Sequence, residues 1–308
     1  MSSADRPRDV SPVVIDAPAK INLYLHITGR RDDGFHTLDS LIAFAAPFDR
    51  VAVAVAPALS LEINGPFAAA LTPSSDDVSA EPNAVPNLVE TAARRLAELA
   101  GIAPDVRLTL DKQLPVAAGI GGGSSDAAAA LRALITLWQL MPEPAALDAL
   151  ALSLGADVPM CLHGKTCFVG GIGERIDPAP ALPNCALLLV NPGISLATPD
   201  VFRARSGGFS PSARFEQNPR DAQELAEILA ERGNDLEAPA RSLAPLIGDV
   251  LQALSNLPGC RLARMSGSGA TCFALFDNDG VAARGAEMLR AAQADWWITP
   301  SNFVSANL

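Results

Sequence analysis

The sequence predicts an α+β protein of two domains. Its 308 residues are enough for two hydrophobic cores. With 49% apolar and 19% charged residues it is a folded chain, not a disordered one. Strand and helix patterns occur in irregular groups on either side of a proline-bearing stretch at 178–183, which reads as the linker. The expected parts are a tail over 1–12, a first domain over 13–177 and a second over 184–308. Two crossovers and a hairpin in the second half suit an α+β sandwich.

Taken in order, residues 1–12 hold no apolar signal segment and read as a disordered tail, which suits a cytoplasmic protein. Residues 13–15 and 21–27 read as strands separated by a polar, proline-containing bend at 16–20. In the second strand Leu23, Leu25 and Ile27 alternate with Asn22, Tyr24 and His26. A charged loop, GRRDDGFHTLDS, follows. Residues 41–44, 51–55 and 59–63 read as strands, and the polar segment 66–86 as irregular surface. Asn87 and Glu90 form an Asn-led capping box for a helix closed by Gly101. Residues 106–110 alternate as a strand.

The stretch 114–130, LPVAAGIGGGSSDAAAA, then passes from a glycine cluster into a helix. Ser124, Ser125 or Asp126 can cap it, and the alanine run has high helix propensity. A glycine-led helix start gathers unpaired N–H groups and a positive dipole end, which suits a phosphate. No Lys-Ser/Thr follows the glycines, so the P-loop pattern fails, and the spacing misses GxGxxG. Residues 144–154 form another helix. A strand at 167–169 and a glycine turn follow. The second half reads as a strand at 186–190, helices near 221–232 and 240–255, strands at 261–265 and 272–276 around SGSGA, a helix at 281–293 and a closing strand at 296–298.

The net charge of -11 and pI near 4.7 argue against nucleic acid and anionic membranes as partners. They leave a phosphorylated small molecule open, because local N–H groups and one or two lysines act at short range. Residues 178–199 are uncharged, but their apolar centre at 185–190 is too short to span a bilayer. Five scattered cysteines without a CxxC pair read as reduced thiols, and three histidines without HxxxH spacing give no zinc site.

Several residues have two readings from the sequence alone. Lys20 is either a surface lysine at a strand end or a charge serving a site. Asp157, after a helix stop, is either a helix cap or a base. Were the fold to join them, the ammonium would hold the carboxylate ionised and oriented to take a proton from a hydroxyl. Gly267, Ser268 and Gly269 are either a tight hairpin or a second anion loop. Phe35, His36 and Phe202 sit in loops and suit either packing or base stacking.

Four stretches together resemble the GHMP kinases: PAKINLYLHI, LPVAAGIGGGSSDAA, GADVPMCL and SGSGATCF, in order and across most of the chain. The resemblance implies a two-domain α+β fold, with an N-terminal domain like ribosomal protein S5 and a ferredoxin-like C-terminal sandwich. The loop at 33–36, NPGISLATPDVF and GNDLEAP narrow it further. They resemble the branch that phosphorylates the 2-hydroxyl of a cytidine diphosphate ester of methylerythritol, in the non-mevalonate isoprenoid pathway.

On that resemblance Lys20 and Asp157 are the catalytic pair, with Asp157 as base. Pro115, Gly119, Ile120, Gly121, Gly122, Gly123, Ser124 and Ser125 hold ATP, with Asn87 and Lys112 near the nucleotide. Ser125 is the residue implied to reach Mg²⁺. Asn22 contacts the methylerythritol part. His36 reads cytosine, Phe35 and Phe202 sandwich it, and Ile172 lines the pocket. Gly267, Ser268 and Gly269 back the transfer region. Position 35 is usually Tyr in that branch. Phe keeps the stacking and lacks the phenol. Asp126 beside ATP phosphates would repel them, so it is expected to turn away as a cap or to be linked through a metal. The competing readings are a homoserine or mevalonate type of kinase, which has no need of a base-stacking loop, and a non-catalytic nucleotide-binding module, which would not need both Lys20 and Asp157. No acidic residue closes a GxGxxG unit, which disfavours a dinucleotide oxidoreductase. The sequence does not fix the oligomeric state.

Overall fold

The computed structural model describes residues 11–71 and 87–304. The tail expected at 1–12 lies outside the described residues up to position 10, as does most of the segment expected at 66–86. The first half is organised on two long antiparallel strands, β1 (Val13–Arg30) and β2 (His36–Val55). The sequence suggested breaks in both, and the structure runs through them. Pro18 pairs with Phe48 and Ala19 with Ala45, so residues 46 and 47 bulge out opposite the Pro18/Ala19 step. A proline without a donor is tolerated at such an irregularity.

β3 (Ser60–Asn64) runs parallel to β4 (Val106–Asp111), which pairs with the end of β2. α1 (Leu88–Ala100) starts at Asn87, whose side chain accepts from Val89 N at 2.9 Å, and stops at left-handed Gly101. Glu90 does not return to the cap. It pairs with Arg94 one turn on. α2 (Gly122–Leu137) crosses β1 and β2 on its buried alanine face, where the lack of side-chain bulk allows close approach. α3 (Pro144–Leu154) and α4 (Val158–His163) follow, then the hairpin of β5 (Cys167–Gly171) and β6 (Arg175–Pro178), with β5 on the other end of β2.

The second half contains β7 (Ala186–Asn191), α5 (Thr198–Ala204), α6 (Ala222–Ala230), α7 (Glu237–Leu243), α8 (Leu246–Ser255), β8 (Leu262–Met265), β9 (Cys272–Phe276), α9 (Asp279–Ala292) and β10 (Trp297–Val304). The single helix expected near 240–255 is two, because Pro245 cannot continue α7 and instead opens α8. β10 pairs with β7 along most of its length and with β2 at Phe303–Val304. The sheet is thereby continuous from one half to the other, in the order β3-β4-β2-β10-β7-β9-β8. One apolar cluster spans the junction, with Ile21 and Leu23 of β1 against Leu187, Leu189 and Phe273. This junction fixes the two halves on either side of a cleft.

Candidate active site

The cleft has a volume of about 430 Å³ and is lined by both glycine loops, by Lys20, Asn22 and Asp157, and by the α5 segment. Gly121 is the helix-preceding residue of α2 in the left-handed conformation, φ 62°. α2 therefore starts at Gly122, before the serines, and no side chain caps it. The first N–H groups of an α-helix have no intrahelical acceptor, and residues 122–124, which carry them here, line the cleft. A Cβ on Gly121 would lie 3.0–3.3 Å from the Lys20 side chain, so the glycine lets the loop rest directly on the lysine. Ile120 reinforces this contact, its carbonyl accepting from Lys20 N at 2.8 Å. Ser124 lines the cleft. Ser125 does not: its buried hydroxyl donates to the Pro18 carbonyl at 2.7 Å.

The second loop packs against the first. A Cβ on Gly119 would meet Ser266 O at 2.5 Å, Gly269 O at 2.6 Å and Gly269 N at 2.7 Å. One on Gly267 would meet Gly119 O at 2.7 Å. The Ser266 hydroxyl ties three parts together: it accepts from Asn22 N at 3.1 Å and donates to Gly119 O at 3.1 Å. Asn234 secures the loop from behind, its amide donating to Met265 O and Gly267 O, both at 2.8 Å. Ser268 meets the Thr198 hydroxyl at 2.8 Å, joining the loop to the start of α5.

Lys20 and Asp157 are 137 residues apart in sequence and in contact here. The ammonium donates to Asp157 Oδ2 at 2.8 Å and to Asn22 Oδ1 at 3.1 Å. The lysine side chain is 7% exposed and the aspartate 38%. Lys20 is thus held within the wall, and Asp157 presents its carboxylate to the cleft. Asn22 is oriented in turn by donating to Ser40 Oγ at 2.9 Å. Asp157 occupies the capping position of α4 but makes no capping hydrogen bond, which leaves its carboxylate to Lys20. Arg132 of α2 donates to the Cys161 and Leu162 carbonyls near the end of α4. A cation at that end offsets the helix dipole and fixes the short helix that carries Asp157.

Beneath the loop lies a buried charge cluster. Lys112 donates to Asp49 Oδ2 at 2.5 Å and to Asp126 Oδ2 at 2.7 Å. Asp49 Oδ1 also accepts from Gln113 N and Leu114 N, at 2.6 and 2.8 Å, which anchors the lead-in to the loop. Burial above all pushes the Asp126 carboxyl up to about 8, with Asp49 adding to the rise and Lys112 opposing it. Asp126 caps nothing, and its second oxygen, Oδ1, has no hydrogen-bond partner. Asp126 and Lys112 line a second cavity of about 250 Å³ with Asn87, Pro115 and residues 116–117. It adjoins the first across Gly122 and Gly123.

At the far end of the main cleft, His36 stacks on Phe202 with ring centres 5.4 Å apart. Burial, then Arg30 and Arg205, hold its imidazole below the ordinary histidine range, so it is neutral at pH 7. Phe202 and Ile172 line the cleft. Phe35 lies in the turn before β2, is 60% exposed and makes no ring contact among the described residues. The structure therefore brings His36, not Phe35, against Phe202.

Asp49, Arg132 and Asn234 escaped sequence reasoning as site supports. Asp49 falls in the gap that the sequence leaves between the strands at 41–44 and 51–55, where a charge is unremarkable, yet β2 runs through it and it is 0% exposed. Arg132 and Asn234 act through backbone carbonyls, which leave no trace in residue type.

A nucleotide-sized pair of cavities, a glycine-led helix start and a lysine-held carboxylate define a small-molecule kinase. Family profiles agree. That described as GHMP kinases N terminal domain matches residues 87–165, and that described as GHMP kinases C terminal matches residues 213–295. The chain belongs to the GHMP kinase family.

Its relatives narrow the placement. It is 50% identical to the 4-diphosphocytidyl-2-C-methyl-D-erythritol kinase of Rhodospirillum rubrum, over 95% of this chain and 93% of the relative. It is 48% identical to the kinase of the same name from Paramagnetospirillum magneticum, over 94% and 98%. A crystal structure of 4-(cytidine 5'-diphospho)-2C-methyl-D-erythritol kinase matches with a TM-score of 0.73 at 36% identity, covering 94% of this chain and 99% of that one. Homoserine kinase from Cytophaga hutchinsonii shares the fold, with a TM-score of 0.72 at 17% identity over 99% and 98%.

Proposed function

We propose that the protein transfers the γ-phosphate of ATP to the 2-hydroxyl of 4-diphosphocytidyl-2-C-methyl-D-erythritol. The Lys20–Asp157 contact at 2.8 Å, at the wall of a cleft shared with the glycine loop, is the observation that carries the chemistry. Roughly 50% identity to kinases of that name over nearly the full chain carries the choice of substrate.

The ATP phosphates lie on the N–H groups of Gly121, Gly122, Gly123 and Ser124, with the nucleoside in the adjoining cavity beside Asn87, Pro115 and the Lys112 cluster. The acceptor's methylerythritol end lies at Asn22. Asp157 takes the proton of the 2-hydroxyl as its oxygen attacks the γ-phosphorus and the bond to the β,γ-bridging oxygen breaks. Lys20 holds that carboxylate in place, and its positive charge offsets charge on the transferring group.

A magnesium ion fits the donor set only in a phosphate-dominated way. Among the described residues no group of three or more His, Cys, Asp or Glu is placed to hold a metal. Magnesium commonly takes one or two protein oxygens and completes its shell with phosphates and water. The hydroxyl that the first glycine loop brings to the cleft is that of Ser124, and Asp157 is the carboxylate there. When bound, the ion neutralises phosphate charge. Ser125 is directed to Pro18 and is a poorer ligand than Ser124.

At the other end the neutral His36 offers cytosine both a donor and an acceptor, and Phe202 offers a stacking face. Five free thiols suit a cytoplasmic setting. No helix among the described residues is long and apolar enough to cross a membrane.

The test is a coupled ADP-release assay with the cytidyl diphosphate substrate against homoserine and mevalonate. Turnover is expected with the first alone. Equal rates with a non-cytidyl alcohol would overturn the substrate assignment.

A further inference from the structure

Ser40 is a polar exception in the cleft wall. Leu38, Ser40 and Ile42 of β2 line the cleft, so the serine stands between two aliphatic side chains of one row. It is fully buried. A hydroxyl in such a place costs free energy unless its hydrogen bonds are made. Both are made, and a bulge brings their partners together. Asn22 pairs with Ile42 and Tyr24 with Leu41, so Leu23 is the extra residue in β1. The Ser40 hydroxyl donates to the Tyr24 carbonyl on one side of Leu23 and accepts from Asn22 Nδ2, at 2.9 Å, on the other.

These bonds have a fixed direction. A carbonyl only accepts, so the Ser40 proton is committed to Tyr24. Only lone pairs remain on the Ser40 oxygen, and they call for the NH2 of Asn22. The Asn22 amide oxygen is thereby turned to Lys20, from which it accepts at 3.1 Å. The reversed amide would set its NH2 against the ammonium and its oxygen against the Ser40 lone pairs. The Asn22 backbone is held independently, its N–H donating to Ser266 Oγ at 3.1 Å, so the choice of amide orientation falls to Ser40.

We propose that Ser40 is a positioning residue of phosphoryl transfer, acting on Lys20 through Asn22. The inference rests on the kinase reading above. The Lys20 ammonium has three N–H bonds. One goes to Asp157 and one to Asn22, and the third is left at the cleft wall for the transferring group. Two anchors from different directions fix the ammonium, and with the amide reversed one anchor becomes a repulsion. Ser40 makes no hydrogen bond to Lys20 or Asp157 itself. Its hydroxyl sets the polarity of a chain that runs from the Tyr24 carbonyl to the catalytic pair.

The experiment is a double-mutant cycle on the full-length protein, read as ADP release with ATP and the cytidyl diphosphate substrate. Ser40→Ala is expected to lower kcat about tenfold and to leave the KM for ATP unchanged. In an Asn22→Ala background the same change is expected to cost less than about twofold, because the amide it orients is gone. A merely structural hydroxyl would cost the same in both backgrounds, and equal costs overturn the inference. So does an effect confined to the KM for ATP. Ser40→Thr and Ser40→Val supply a second comparison, since the two share a shape and differ in the hydroxyl. The threonine variant is expected to turn over about tenfold faster than the valine variant, and equal rates overturn the inference even where Asn22→Ala is too slow to measure. A wild type that does not turn over the substrate overturns the kinase reading and the inference with it.

Discussion

Replacing Gly119 with alanine tests whether the two glycine loops form one rigid surface. Gly119 is at φ +75°, where an L side chain costs roughly 1–2 kcal/mol. The new Cβ would meet Ser266 O at 2.5 Å, where ordinary contact begins at 3.4 Å, so the loops must part by the difference, 0.9 Å. The neighbouring atoms are all backbone, and no rotamer change relieves them. Overpacking of this kind adds about 1–3 kcal/mol. A shift near 1 Å between phosphate donors and the base costs on the order of 100-fold in rate. Gly119→Ala is therefore expected to lower kcat about 100-fold and to lower the melting temperature, measured by ADP release and by calorimetry. Gly123 supplies the contrast. A Cβ there meets only Leu88 Cδ1, at 3.8 Å, so Gly123→Ala is expected to raise the melting temperature, as a glycine-to-alanine change inside a helix does. A Gly119→Ala protein with wild-type kcat would refute the coupling of the loops.

Three further outcomes follow from the same structure. Asp126, with its carboxyl pushed up from 3.8 to about 8, binds a proton in the folded state that the unfolded chain releases. Its stabilisation is full below about pH 4 and is lost as pH rises through 8, so wild-type stability should fall over that interval more steeply than that of Asp126→Asn, measured by urea titration at several pH values; parallel slopes would contradict this. Arg132→Met keeps the packing and loses the hold on α4, so kcat should drop about tenfold with the KM for ATP unchanged, whereas a change confined to KM would count against a positioning role. Cytidine affinity should be constant from pH 8 down to the ordinary histidine value of 6.5 and weaken at pH values below that as His36 takes a proton, and His36→Gln should abolish the dependence.

Much of the site was legible because its residues are unusual where they stand. A glycine cluster followed by serines and alanines announces a helix start with open N–H groups. A lysine opening an apolar strand and an aspartate before Val158-Pro159 are out of place unless something uses them. The fold was legible at the level of elements and less so at their limits. β1 continues through Pro18 because a bulge on β2 absorbs the irregularity, and that compensation lies 27 residues further on or more. The helix after the glycines begins at Gly122 because Gly121 takes the left-handed turn, leaving Ser125 and Asp126 to be buried. The Lys112 cluster was hidden because Asp49 lies 63 residues from its partner. Phe35 and His36 are adjacent, and only the register of the hairpin decides which ring meets Phe202.

The role of Asp157 as base is the central claim, and Asp157→Asn tests it most directly. Asparagine preserves the shape of the side chain and its contact with Lys20, and removes the proton acceptor. Single-turnover ADP release with ATP and 4-diphosphocytidyl-2-C-methyl-D-erythritol should fall on the order of 10³- to 10⁴-fold, with ATP affinity within about threefold of wild type. A variant that transfers phosphate at the wild-type rate would contradict the assignment.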